Sequence, residues 1–272
     1  MGRDLVSAEE MAAVLGRAGL VYRLDLHRGP AMSKPIELYA CMTPNVLKVV
    51  LMLVETELAF EINHVRVYRG ENFAEGYEAL HPYRKVPVLV DHDGPGGVAH
   101  RVFESGAILF YLAEKTGRFF GVDAVQRSTV MQWLMLQMSS VGPVFGQATH
   151  FNRAAPKDEP YARRRFLTQA VRLCELYDAR LSAARYLAGD ELSIADFATF
   201  PWLWRHPGLL GVDPEAYPHI RRWIGEIRQR PAFGRAHETY RQLVTIDQAD
   251  LAAADPELLD RLLGRGRWFR AK

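Results

Sequence analysis

Strand-like runs occur in this chain only before about residue 117, and from about Asp123 onward the periodic stretches are all helical. Runs of period two must pair into a sheet, whereas runs of period 3.6 must bury one stripe against another element. A chain divided in this way is confined to a layered α/β unit followed by a helical one. The first part reads βαβ and then ββα. Ile36–Tyr39 is a strand, Pro44–Glu57 a helix, Glu61–Val67 a second strand and Phe73–Leu80 a short irregular helix. Val86–Val90 and Arg101–Phe103 are strands joined by Asp93-Gly94-Pro95-Gly96-Gly97, whose residues suit a hairpin turn. Ser105–Thr116 closes the unit as a helix with Ile108, Leu109 and Leu112 on one face and Gly117 just past its end.

The second part reads as helices over Val125–Ser140, Tyr161–Arg185, Ser193–Trp204 and Pro218–Gln229. In the longest of them Phe166, Ala170, Leu173 and Tyr177 recur at helical spacing, and Arg163, Arg164, Arg172 and Arg180 lie largely elsewhere. Ser193-Ile194-Ala195-Asp196 is the pattern of a capping box, in which the serine caps the helix and the acid reaches back. The expected organisation is an extension over 1–34 with a short helix near Ala8–Leu15, an α/β domain over 35–120, an all-helical domain over 121–245 and a tail over 246–272.

A length of 272 residues with 49% hydrophobic composition supports two such domains. The 34 basic and 32 acidic residues leave a formal net charge of +2, which makes no electrostatic case for a nucleic-acid or anionic-membrane partner. Two cysteines, Cys41 and Cys174, exclude a disulfide scaffold and lack zinc-site spacing, and the nine histidines are scattered, so no metal is expected. With neither an apolar leader nor a span of about 20 apolar residues, a reducing cytoplasm is the expected location.

Three places on the α/β unit carry chemistry. Thr43-Pro44-Asn45 opens a helix with a capping hydroxyl, a proline suited to the first turn and an amide, so a thiolate placed there would meet free N–H groups and the positive end of the helix. Pro87 stands in the apolar run Lys85-Val86-Pro87-Val88-Leu89-Val90, where it removes a ladder donor and belongs at an edge or a bend. Glu104-Ser105 places a carboxylate and a hydroxyl at the next helix N-terminus, which suits both halves of an α-amino acid group.

These segments, with Val102–Leu109, Tyr111–Gly117, His150–Pro156, Pro160-Tyr161-Ala162 and Ser193–Asp196, resemble the cytosolic glutathione transferase superfamily, Nu class, over about residues 35–231. The resemblance implies a thioredoxin-like N-terminal domain followed by an all-helical C-terminal domain, a homodimer, and glutathione as co-substrate. Carried over residue by residue, Thr43 and Asn45 contact the glutathione sulfur and Lys85 the glycyl carboxylate. Val86, before a cis Pro87, pairs its backbone with the cysteinyl unit. Glu104 and Ser105 hold the γ-glutamyl end, joined by Arg165 of the partner subunit. Tyr161 and Trp204 are the candidates to line the pocket of a small aromatic or hydrophobic co-substrate.

The activities implied are attack of the glutathione thiolate on an electrophilic carbon, disulfide reduction through two glutathiones, or thioether cleavage of an aromatic conjugate. A non-catalytic interaction module is the rival from another class. Some relatives carry a catalytic Cys-Pro pair at the helix cap; here Thr43 holds that register and Cys41 lies two residues earlier, with no Cys-x-x-Cys. Two departures from the class pattern stand out. Tyr83-Arg84 adds bulk and a cation before the lysine, and Leu203-Trp204 stands where some relatives have a tyrosine. The tail, ending Arg267-Trp268-Phe269-Arg270, is expected to dock on the surface.

Overall fold

The computed structural model describes the backbone of residues 22–27, and residues 36–155 and 158–268. The expected helix near Ala8–Leu15, Pro156 of the segment resembling the family, and Phe269-Arg270 lie outside the described residues. Two compact units emerge. One comprises 1–46, 57–108 and 237–272, and the other 47–56 and 109–236.

The first unit is built on a five-stranded mixed sheet: β1 (Tyr22–His27), β2 (Ile36–Ala40), β3 (Phe60–His64), β4 (Val88–Asp91) and β5 (His100–Phe103), in the order β1-β3-β2-β4-β5. Among these strands only β2 and β3 run parallel; they are joined through α1 (Pro44–Glu55), the crossover that a parallel pair requires. Strand β1, antiparallel to β3, was not expected. It places part of the 1–34 extension on the edge of the sheet. Leu38, Ala40, Phe60, Ile62 and Leu89 are buried on one face of the sheet, and on the other Tyr39, Val88 and Val90 pack with Val65 and with Tyr77 and Leu80 of the short helix α2 (Tyr77–Leu80). In the β4–β5 connection, a Cβ on Gly94 would lie 2.6 Å from both His100 Cβ and the Val98 carbonyl, so only glycine fits that turn.

Helix α1 is buried from Val46 to Val54 and apolar there except for Lys48, whose ammonium donates to Gln137 Oε1 at 2.8 Å, so its sequence shows no polar face. Helix α3 (Ser105–Thr116) has the bounds its sequence predicts. The second unit contains α4 (Ala124–Leu136), α5 (Gly142–Arg153), α6 (Pro160–Ala183), α7 (Ile194–Leu209) and α8 (Pro218–Arg228), with α5 packed on α6, α6 on α8 and α4 on α7. A π-helical turn, Gln137–Val141, joins α4 to α5, which holds Pro143 in its first turn, so the chain continues helically beyond Ser140, where the helix was expected to stop.

The capping box is formed. Ser193 caps α7 through the Asp196 N–H, and Asp196 Oδ2 accepts from the Ser193 N–H and hydroxyl, each at 2.9 Å. Asp196 Oδ1 accepts from the Leu187 N–H at 3.0 Å and from Trp223 Nε1 at 2.9 Å. Helices α9 (Pro231–Ala252) and α10 (Pro256–Leu263) complete the described chain. The expected break between 245 and 246 falls inside α9, and the segment read as a surface tail carries two buried carboxylates, Asp247 and Asp250. No helix among the described residues is long and apolar enough to cross a membrane.

Candidate active site

Strand register brings the three chemical motifs together. Because Val88 pairs with Phe103 across β4–β5, the residues next in line beyond them, Pro87 and Glu104, come side by side. Val88 also faces Tyr39 on β2, so the loop leaving β2 and the N-terminus of α1 reach the same end of the sheet. The result is a cleft of about 240 Å³ lined by Asn45, His81, Lys85, Val86, Pro87, Glu104 and Ser105.

Each wall has a local cause. Thr43 Oγ1 accepts the Val46 N–H at 3.2 Å as the helix cap, which fixes the oxygen and leaves the hydroxyl proton to donate outward. Thr43 itself does not line the cleft; Asn45, two residues on, does. The loop ahead of β4 is anchored from beneath. Tyr77 donates its buried hydroxyl to the Lys85 carbonyl at 3.2 Å, and Asn72 Nδ2 donates to the Arg84 carbonyl at 3.3 Å. The Val86–Pro87 bond is cis, and Pro87 precedes β4 instead of interrupting it, so no ladder donor is lost. Lys85 is exposed, with its ammonium 5.2 Å from the centre of the Tyr83 ring.

Glu104 is held at φ +70°, a left-handed backbone that L residues rarely adopt, and its carbonyl accepts the Ile108 N–H at 2.9 Å as α3 begins. Strain of this kind persists where the surroundings over-determine the backbone, and it clusters at functional sites. Ser105, the first residue of α3, is buried.

His81 lines the cleft and was not foreseen. Its Nδ1 accepts the Tyr83 N–H at 3.1 Å, so the ring proton sits on Nε2, 3.8 Å from Glu104 Oε1, while the ring lies 4.9 Å from that of Phe103. Burial holds the imidazole below the usual histidine range; Glu104 opposes this, and Lys85 and Arg101 reinforce it. No sequence signal marks a lone histidine before a proline. The cation expected from Arg84 is not in the cleft wall, because that guanidinium is bound to Glu78 at 2.7 Å and to the Ala74 carbonyl at 3.0 Å.

Arg165, Tyr161 and Trp204 belong to the helical unit and are not among the residues lining the cleft. Arg165 and Tyr161 are exposed near the start of α6. Trp204 stacks on Phe200 at 5.4 Å and meets Phe233 edge-on at 5.4 Å, with Arg228 5.7 Å from its ring. Cys41 is fully buried, and burial first and the Asp247 carboxylate second push its thiol well above the ordinary value. Chemically, the cleft sets one ammonium and one carboxylate between two helix N-termini, a donor set suited to a small peptide with charges at both ends.

Residues 34–114 match the family model for the glutathione S-transferase N-terminal domain, and residues 133–231 match that for the C-terminal domain. The chain belongs to the glutathione S-transferase family. Its relatives in that family include the disulfide-bond oxidoreductase YfcG of Escherichia coli (strain K12), 40% identical over 204 residues that cover 74% of this chain and 94% of YfcG. A second E. coli disulfide-bond oxidoreductase, YghU, is 35% identical over 218 residues, 76% of this chain and 75% of YghU. Among solved structures, a glutathione transferase from Burkholderia graminis with two glutathione molecules bound per subunit superimposes with a TM-score of 0.75. It is 33% identical, covering 86% of this chain and 96% of that one. One from Pseudomonas putida, with one glutathione disulfide bound per subunit, gives a TM-score of 0.73 at 31% identity, over 85% of this chain and 97% of that one. The glutathione S-transferase architecture thus accounts for both units of the chain, a thioredoxin-like one and a helical one.

Proposed function

We propose that the cleft binds glutathione, lowers the pKa of its thiol and directs the thiolate onto a disulfide, as a Nu-class enzyme. The observation that carries this reading is the convergence of Asn45, Lys85, Val86, Pro87, Glu104 and Ser105 on one cleft. In this reading Lys85 pairs with the glycyl carboxylate, and the Val86 backbone pairs with the cysteinyl unit beside cis Pro87. The carboxylate of Glu104 takes the γ-glutamyl ammonium, while Ser105 and the α3 N-terminus take its carboxylate. Thr43 and Asn45 donate to the sulfur at the positive end of α1, which favours the thiolate. The reading includes a cytoplasmic homodimer in which Arg165 of the partner subunit reaches the γ-glutamyl end, with Tyr161 and Trp204 serving the co-substrate.

The bound thiolate attacks one sulfur of the disulfide, forming a mixed disulfide and expelling the other sulfur as thiolate. A second glutathione thiolate then attacks the mixed disulfide and releases glutathione disulfide and the second thiol. The likeness to proteins named disulfide-bond oxidoreductases, and to structures holding two glutathiones or glutathione disulfide, favours this chemistry over carbon conjugation.

Calorimetry with glutathione, together with thiolate absorbance followed against pH, tests the site. Binding at millimolar ligand or tighter, with a bound thiol titrating below its free value, is expected; no binding would sink the enzyme reading. A panel of a hydroxyalkyl disulfide, an aryl halide and an aryl glutathione thioether then separates the chemistries, and turnover of the disulfide fastest is the expected result.

Glu104→Gly separates the strained backbone from the carboxylate. Glycine accepts φ +70° without steric cost but is freer when unfolded, so the net gain in stability is expected to be about 0.5–1 kcal/mol. Loss of the ion pair to the ammonium is expected to weaken glutathione binding about tenfold. A Glu104→Gly variant that binds as tightly as the parent would remove Glu104 from the site.

A further inference from the structure

The Cys41-Met42-Thr43 turn ahead of α1 is gripped from far along the chain. Asp247 on α9 lies beyond residue 231, where the match to the C-terminal family model ends. Its Oδ2 accepts the Met42 N–H at 2.6 Å, and its Oδ1 lies 3.0 Å from Nε2 of His64, the last residue of β3; both side chains are fully buried. Nδ1 of His64 is buried with no partner, so the ring proton belongs on Nε2, donating to the carboxylate. The turn itself is tight, with the Thr43 N–H bonded to the Cys41 carbonyl at 2.8 Å. Fixing the Met42 peptide therefore fixes the peptide that carries Thr43.

Asp247 is not the sole tie of α9 to this unit. One turn along, Asp250 binds Arg66 through two hydrogen bonds of 2.7 and 2.6 Å and Arg69 through one of 2.9 Å, and Leu258 of α10 lies against Gly70. The two carboxylates divide the work. Asp250 secures the helix to the segment after β3, and Asp247 reaches the turn that presents the helix cap. The charge of Asp247 is felt around that turn, where it adds to burial in raising the Cys41 thiol and in pushing Tyr68 up to about 12.

We infer that Asp247 is a positioning residue for the sulfur site: through the Met42 N–H and His64 it sets the position of the Thr43 hydroxyl and the first turn of α1. This rests on the reading of Thr43 and Asn45 as the sulfur contacts. Hydrogen bonds to a charged acceptor are sensitive to small displacements, so a relaxed turn weakens stabilisation of the thiolate without touching the groups that hold the two ends of the peptide.

The test compares Asp247→Ala, Asp247→Asn and Asp250→Asn in the full chain. The readouts are thermal unfolding, glutathione affinity by calorimetry and the titration of the bound thiol by thiolate absorbance. Asp247→Ala is expected to raise the bound thiol titration by about one pH unit, a tenfold smaller thiolate fraction, and to lower kcat for disulfide exchange to match. Asp247→Asn retains an oxygen for the Met42 N–H but forces His64 into the tautomer whose proton meets no partner, so about half that shift is expected. Asp250→Asn is expected to lower the melting temperature and leave the thiol titration at the parent value.

If the Asp247 variants lose only melting temperature, or if Asp250→Asn moves the thiol as much as they do, Asp247 is merely an anchor and the inference falls. Should the alanine variant fail to fold, the asparagine variant decides against the same control. A parent protein that binds no glutathione would instead defeat the proposed function. A parent that binds and ionises glutathione while its Asp247 variants do likewise defeats this inference alone.

Discussion

Asp196→Ala is expected to destabilise the helical unit by about 4 kcal/mol, a large fraction of the stability of an ordinary domain. The carboxylate is fully buried and accepts four hydrogen bonds, from the Leu187 and Ser193 N–H groups, the Ser193 hydroxyl and Trp223 Nε1. Burial alone would make such a charge costly, and it does raise the pKa of Asp196, against the pull of those four donors. Removing the acceptor leaves three N–H donors in the interior, each worth about 1–3 kcal/mol when unsatisfied, with partial relaxation limiting the sum. Asp196→Asn should cost about half as much. Its oxygen can serve Leu187 and Trp223, and the Ser193 hydroxyl can turn to accept from the new amide, so one N–H facing N–H clash remains. Denaturant melts followed by tryptophan fluorescence check the order, since Trp223 reports on the same cluster. Equal stabilities for the parent and both variants would show that the box contributes only local capping.

How much of this could be read from the sequence depended on how local the cause was. The capping box, the bounds of α3 and the β4–β5 hairpin are written in neighbouring residues, in caps, glycines and prolines, and the chain shows them, with β4 starting at Val88 rather than at the expected Val86. Strand β1 had a signal, since Tyr22, Leu24 and Leu26 alternate with polar residues, but a single strand in an extension offers no partner in sequence. Helix α9 was not read as a helix, for a different reason. Its buried stripe runs Ala236, Tyr240, Leu243, Asp247 and Asp250, so the helical spacing persists while the apolar residues give way to carboxylates. Those carboxylates make sense only against His64, Arg66 and Arg69, which lie more than 180 residues earlier. The cleft shows the same contrast. Each motif was visible on its own, yet His81 entered and Arg84 turned away for reasons that depend on tertiary partners.

Thr43→Ala and Cys41→Ser should separate sharply when assayed in the same thiol–disulfide exchange reaction. Thr43 Oγ1 accepts the Val46 N–H, and in the proposed reading its hydroxyl proton donates to the bound thiolate. Alanine removes that donor, worth about 1.5–3 kcal/mol to a charged sulfur, and the cap, worth about 1 kcal/mol of stability. A fall in kcat of roughly 10²-fold is expected, within the range seen when one donor to a developing anion is lost. Thr43→Ser should restore most of it, because the hydroxyl and the cap both return. Cys41 differs in every respect that matters to a nucleophile: it is fully buried, its thiol pKa is raised by burial and by Asp247, and no second cysteine stands at resolving distance in sequence. Serine there should keep activity within about twofold, and the parent should resist alkylation at about pH 8, where a low-pKa thiol would react within minutes. The two residues lie two positions apart on one turn, so a purely structural disturbance would affect both variants alike. Comparable losses in both would therefore overturn the assignment of Thr43 as the sulfur contact and Cys41 as a bystander.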